Sequence, residues 1–158
     1  MKITVEDATL EHLAKSLDDI RPEDLREWYA GTGNPDFQHT AGSSMAPGCY
    51  AKVAVREDGF PLVFWGCNDM GGGRGNVWLF ATETAVGCFL PIHRHLKPQL
   101  QALLDRWPLL EAWADCRNTV HHKWLEWLRF DYRGEQHLEP LGLPFKLYVK
   151  VKEAQSCA

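Results

Sequence analysis

The stretch RNTVHHKWLEWLRF, residues 117–130, gathers Asn118, His121, His122, Trp124, Trp127 and Phe130 into about four helical turns. Side chains of these types can cap a helix, carry a proton or hold a metal ion. Cys88, His93, His95 and Cys116, a little earlier in the chain, widen the metal possibility. Zinc sites use recurring spacings, however: HExxH, C-x2-C, or two histidines four apart on one helix. None occurs here. Adjacent helical residues such as His121 and His122 point about 100° apart, so their rings do not converge on one ion. No metal is expected. GGGRG (Gly71–Gly75) resembles a phosphate loop only in composition, because such a loop must run straight into a helix whose free amides face the anion. The strand-like NVWLF follows instead, which predicts a hairpin connection. Ser43 and Ser44 lack a G-x-S-x-G elbow. A Cys–His pair meeting only in space stays open.

The elements that must position these residues can be read from periodicity. KITV is a short strand, and Ala8, Leu10, Leu13, Ala14 and Leu17 have helical spacing. A second helix starts at Pro22 with Glu23 and Asp24 in its first turn, carries Leu25, Trp28 and Tyr29 as its apolar stripe, and closes at Gly31. GTGNPDFQHTAGSSMAPG, residues 31–48, is a long loop by composition, and long loops are often functional. YAKVAVR, PLVFWGC and NVWLFATE form a three-strand meander. A helix with Leu96, Leu100, Leu103, Leu104 and Trp107 follows, then the strand LEAWADC. The next helix, Thr119 to Leu128, turns Val120, Trp124, Trp127 and Leu128 inward. FKLYVKVK closes the chain as a half-buried strand, with Phe145, Leu147, Val149 and Val151 on one face. One or two strands end the order, which is that of a single mixed α+β domain over residues 1–158.

Composition bounds the function. The 158 residues carry a formal charge of −4, with 45% apolar and 24% charged side chains. Nucleic acid is not expected as a partner, because phosphate binding needs a clustered cationic surface. A membrane is not expected either: no window approaches the roughly 20 apolar residues of a span. MKITVEDATL has acids where a signal peptide would carry its apolar core, so a cytoplasmic location is expected. The five cysteines are widely spaced and odd in number, which fits thiols in a reducing compartment better than a disulfide framework. Seven tryptophans suggest a core of large rings or a surface with aromatic anchors.

The element order and residues 76–130 resemble the GNAT family of acyl-CoA-dependent N-acyltransferases. More narrowly, they resemble the small acetyltransferase-like proteins of T7-type podophages, some classed as internal virion proteins. The family's motif N-x-x-A-x-x-L-Y-x-x-x-G-F opens the helix after its fifth strand. Asn118, His121, Trp124, Leu125, Arg129 and Phe130 stand at its positions, with Asn118 and Phe130 identical. The resemblance implies a GNAT-like fold, a mixed central sheet flanked by helices, and acetyl-CoA or another acyl-CoA as cofactor. It places Asn118, a natural helix N-cap, beside the pantetheine arm. Thr82, Gly87, Cys88, Arg94, His95 and Lys97 lie where the family binds pyrophosphate. The family's Arg/Gln-x-x-G-x-Gly/Ala motif is missing there, and Leu125 replaces the tyrosine that protonates the leaving thiolate.

Acyl transfer to an amine needs a base and, usefully, an acid. Glu83, just past a strand end, is the candidate base, with a solvated loop carboxylate as the alternative. His121 is the candidate acid or relay, with a surface helix residue as the alternative. Two readings of the whole chain follow. One is a phage-encoded acetyl-CoA-dependent N-acyltransferase acting on a host or phage target, with the loop of residues 31–48 choosing the acceptor. The other is a GNAT scaffold that has lost chemistry and binds a host enzyme or virion component. An open splay between the fourth and fifth strands favours the enzyme; a cleft plugged by Trp113 or Phe89 argues against it.

Overall fold

In a computed structural model of the chain, which describes residues 1–154, the central feature is a seven-stranded mixed sheet. The strands are β1 (Ile3–Asp7), β2 (Tyr50–Arg56), β3 (Pro61–Gly71), β4 (Arg74–Ala81), β5 (Leu109–Asp115), β6 (Asp131–Leu138) and β7 (Leu143–Val151). They lie in the order β1-β2-β3-β4-β5-β7-β6. Five helices flank the sheet: α1 (Leu10–Ser16), α2 (Pro22–Thr32), α3 (Phe37–Ser43), α4 (Phe89–Arg106) and α5 (Thr119–Trp127). Among the described residues only β4 and β5 pair in parallel, and a parallel pair needs a long crossover, which α4 supplies.

Each face of the sheet buries its own cluster. Leu13 of α1 and Ala41 of α3 pack with Val53, Phe64 and Phe80 on one side. Ile92, Leu96 and Leu103 of α4 pack with Trp124 and Leu125 of α5 against Trp65 and Leu110 on the other. This explains the unbroken apolar run in β3: Phe64 serves one core while Trp65 and Cys67 serve the other. The glycine-rich segment is the β3–β4 hairpin expected from sequence. Gly71 pairs with Arg74, and Gly72 and Gly73 form the two-residue turn at φ 63° and 78°.

Several expectations need correction. Helix α2 runs on to Thr32 and is capped by Gly33 at φ 69°, not by Gly31. Its inward face is not the Leu25–Trp28–Tyr29 stripe: Leu25 and Tyr29 are exposed, while Asp24, Glu27 and Ala30 are buried. The long loop contains α3, capped by Asp36, whose side chain accepts from the His39 amide. In α5 it is Trp127 that faces solvent, while His121 and His122 are buried with Trp124 and Leu125. In β7 the buried residues are Phe145 and Tyr148, which the two-residue period sends to opposite faces of the sheet, and Val151 at the strand's end is exposed. The β6 strand carries DYRGEQHL, mostly exposed, and has no apolar alternation to announce it. Among the described residues no helix is long and apolar enough to cross a membrane. Cys157 lies outside the described residues.

Candidate functional site

The site begins where β4 and β5 part. Their pairing runs from Arg74↔Leu109 to Val77↔Ala112 and then stops, although β4 continues to Ala81 and β5 to Asp115. Two diverging strands expose backbone amides and carbonyls that must find partners if buried. Helix α2 provides them. Asp24 accepts from the Ala81 amide at 2.8 Å, and Glu27, one turn later, accepts from the Asp115 amide at 2.9 Å. The Arg21 amide donates to the Ala81 carbonyl at 3.0 Å, and the Trp28 indole donates to the Leu79 carbonyl at 3.3 Å.

The carboxylates are joined from behind by α5. Asn118 caps this helix, its Oδ1 accepting from the His121 amide at 3.5 Å. Its Nδ2 donates to Asp24 at 2.8 Å and to Glu27 at 3.3 Å. Arg21 Nη1 donates to Asp24 at 3.0 Å, and His121 Nδ1 lies 2.9 Å from both Glu27 oxygens. Arg21, Asp24, Glu27, Asn118 and His121 are each 6% exposed or less. Burial pushes the Asp24 carboxyl above its usual range, against the pull of Arg21. Burial also pulls His121 down, but the adjoining Glu27 carboxylate outweighs it and holds the imidazole above its ordinary 6.5. With His121 protonated, two cations face two carboxylates, and the buried group carries no net charge.

His121 touches cavities on both sides of the sheet. A cleft of about 540 Å³ lies on the α2–α3 side, with Trp28, Trp78, Trp113, Asn68 and Asn76 on its walls and Glu27 and His121 at its floor. On the α4–α5 side an apolar pocket of about 40 Å³ lies between Trp65, Leu79, Leu100, Trp124 and His121. A third space, about 10 Å³, remains between Asp24, Ala85, Phe89 and His121. Phe89 stands edge-on to Trp124 at 5.3 Å between ring centroids.

Of the residues singled out from sequence, the fold brings Asn118 and His121 together. His121 is a buried partner of a carboxylate, not a surface residue. Glu83 is exposed at the start of a 3-10 turn (Glu83–Cys88) and lines none of the three cavities. The buried Thr82 hydroxyl donates to the carbonyls of Pro61 and Leu62 in β3. Gly87 is exposed, and the Cys88 thiol is buried against the Thr84 carbonyl at 3.6 Å. Arg94 and Lys97 are exposed on α4. Among the described residues no three His, Cys, Asp or Glu side chains are grouped to hold a metal. Arg21, Asp24, Glu27 and Trp28 were missed. In sequence Asp24 reads as a first-turn acid favouring the helix dipole, and nothing local separates an inward acid from a solvated one.

No family model matches the sequence, and no curated protein matches it. Solved structures do. The aminoglycoside acetyltransferase AAC(6')-Ib in complex with ribostamycin and coenzyme A aligns over 100% of both chains at TM-score 0.71 and 13% identity. The ribosomal-protein-alanine N-acetyltransferase from Brucella melitensis aligns over 94% of this chain and 99% of its own, at TM-score 0.66 and 13% identity. An N-acetyltransferase from Staphylococcus aureus Mu50 aligns over 96% and 99%, at TM-score 0.67 and 14% identity. The chain therefore has the GNAT acetyltransferase fold; at these identities the likeness is one of fold.

Proposed function

We propose that this chain is a phage-encoded protein built on the acetyltransferase scaffold whose acyl-CoA cleft is closed by its own side chains, and that it acts in the host cytoplasm by gripping a host or phage protein. One observation carries the reading: Asp24 and Glu27 occupy the backbone amides of Ala81 and Asp115. An extended pantetheine arm lying in the splay would need those strand-edge groups, and Leu79 and Ala81 have also spent their carbonyls on Trp28 and Arg21. The residues present do not fit the arm, and opening the cleft would strand two buried carboxylates. Arg94 and Lys97, one and two helical turns beyond the start of α4, sit beside no glycine motif that would seat a pyrophosphate. The phage origin rests on the resemblance of the element order and of residues 76–130 to the small acetyltransferase-like proteins of T7-type podophages.

A second reading, acyl-CoA-dependent N-acyl transfer to an amine, is favoured by the carboxylate–imidazole pair of Glu27 and His121 at the floor of the 540 Å³ cleft. Calorimetric titration with acetyl-CoA, and with CoA as the control, separates the two. The closed-cleft reading expects no saturable heat up to about 1 mM ligand, a binding free energy weaker than about −4 kcal/mol. Micromolar binding by the folded chain overturns it and restores the transferase.

A further inference from the structure

We infer that the outer face shared by α4 and α5 is a docking surface for an acidic amphipathic helix of a partner protein. This rests on the reading of the chain as a binding protein and names the surface with which it binds. At the centre of the face are Leu90, 73% exposed, and Trp127, 47% exposed. Isolated apolar residues on a surface need no explanation, but these are organised. The Trp127 ring lies edge-on to Phe89 at 6.1 Å and to His93 at 6.0 Å, and Phe89 in turn abuts Trp124 of the core. The exposed indole is thereby held in place before any partner arrives, which lowers the ordering cost of binding.

Cations surround that centre. Leu90, His93, Arg94 and Lys97 follow the i, i+3, i+4, i+7 spacing of one α4 face, and Lys123 stands one turn before Trp127 on α5. Arg94, Lys97 and Lys123 are exposed, and among the described residues none has an ion pair or a hydrogen bond to a side chain. Arg21, Lys52, Arg56, Arg74, Arg117 and Lys152 meet carboxylates, whereas other cations such as Lys15, Arg26 and Arg133 stand as unpaired as these three. In a chain of net charge −4, the grouping of three exposed cations with an exposed tryptophan is what distinguishes this face, and it complements a partner that brings carboxylates. From Leu90 to Lys97 the α4 ridge spans about 10 Å at 1.5 Å per residue, the length of two turns of a partner helix. Such a helix would set apolar residues at i and i+3 or i+4 on Leu90 and Trp127 and flank them with Asp or Glu. A bare phosphate would use the cations and leave the apolar centre wet. A nucleic acid would need a wider cationic field than Glu83 and Glu126, both exposed nearby in the sequence, allow.

The test is fluorescence anisotropy of a labelled 18-residue helical peptide, with Leu at i, i+3, i+4 and i+7 and Glu at its other positions, titrated with the full chain at low salt. The inference expects saturable binding that weakens as salt rises. It also expects at least a tenfold loss for Trp127→Ala, and the same for the double variant Arg94→Glu, Lys97→Glu. Circular dichroism and a melting curve verify that each variant is folded, which the exposure of all three positions favours. A peptide with Gln in place of Glu that binds equally well overturns the inference, as does wild-type affinity in both variants. Tighter binding to phosphatidylglycerol vesicles or to single-stranded DNA, lost in the same variants, assigns the face to a different partner and also overturns it. Acetyl-CoA titrated in parallel separates the two proposals. Its binding would sink the closed cleft alone, whereas a silent peptide beside silent acetyl-CoA would sink the docking face alone.

Discussion

Replacing Glu27 by alanine strikes the group that joins three elements. The Glu27 carboxylate accepts from the Asp115 amide at the end of β5, from Asn118 at the start of α5, and from His121 one turn further on. Removing one member of a buried charged pair leaves the other uncompensated and costs about 3–5 kcal/mol. Here a strand amide is orphaned as well, which places Glu27→Ala at the upper end of that range. With a urea slope of about 2 kcal/mol per molar, the unfolding midpoint should fall by roughly 2–2.5 M. Glu27→Gln keeps an oxygen for the Asp115 amide and loses only the charge, so a cost of about 1–3 kcal/mol is expected. Combining Glu27→Ala with His121→Ala should cost less than the sum of the two by about 1–3 kcal/mol, because the second removal discards a charge already stranded. Equilibrium unfolding followed by tryptophan fluorescence reads all four states of the cycle. A loss below about 1 kcal/mol for Glu27→Ala, or strict additivity in the double variant, would refute the view that these side chains hold the splay as one unit.

Other expectations follow from the same geometry. His121 is held above its ordinary 6.5, its burial outweighed by Glu27, so its contribution to stability is full below pH 6.5 and is lost as pH rises through the folded value. His122 is held below 6.5 by burial and by the neighbouring His121, so its contribution is full above pH 6.5 and is lost as pH falls through its folded value. Melting curves between about pH 5 and 8 should lose part of their alkaline decline in His121→Gln and part of their acid decline in His122→Gln; wild-type profiles in both would contradict these assignments. Gly66→Ala should destabilise by about 1–3 kcal/mol, because a Cβ there overlaps the Trp78 ring and the Tyr50 carbonyl, and a neutral effect by chemical denaturation would count against the β3–β4 register. In mass-mapped alkylation of the native chain the exposed Cys49 should react before Cys67, which is buried and pushed up to about 12, and before Cys116, pushed up to about 11 by burial and the Glu135 carboxylate. Early labelling of Cys67 would mean that the sheet opens there.

Periodicity made the architecture legible wherever a face is apolar. The β3 run, the Leu96–Leu103 stripe and the hairpin glycines could all be placed, and Asn118 announced its helix. The site was legible only at that end. Helix α2 is legible only in part: Trp28 of its apolar stripe packs inward, but the buried positions beside it are the carboxylates Asp24 and Glu27. Asp24 and Glu27 turn inward because two strand ends, 57 and 88 positions later in the chain, offer them amides. No local signal encodes such a demand. For His121 the sequence leaves a proton carrier and a surface helix residue both open, because the partner that buries it, Glu27, lies 94 positions earlier. Strand β6 escaped because a polar edge strand has no alternation to betray it.

That edge has a consequence for how copies of the chain behave together. The sheet ends at β1 on one side and β6 on the other. Strand β1 sets Glu6 and Asp7 in the open, while β6 carries Asp131, Arg133 and Glu135 and is broken in register between Tyr132 and Gly134. Neither border offers a smooth apolar ribbon for a second chain to extend. Many copies can therefore crowd side by side without zippering into a shared sheet, and what each shows its neighbours is helix, loop and charge.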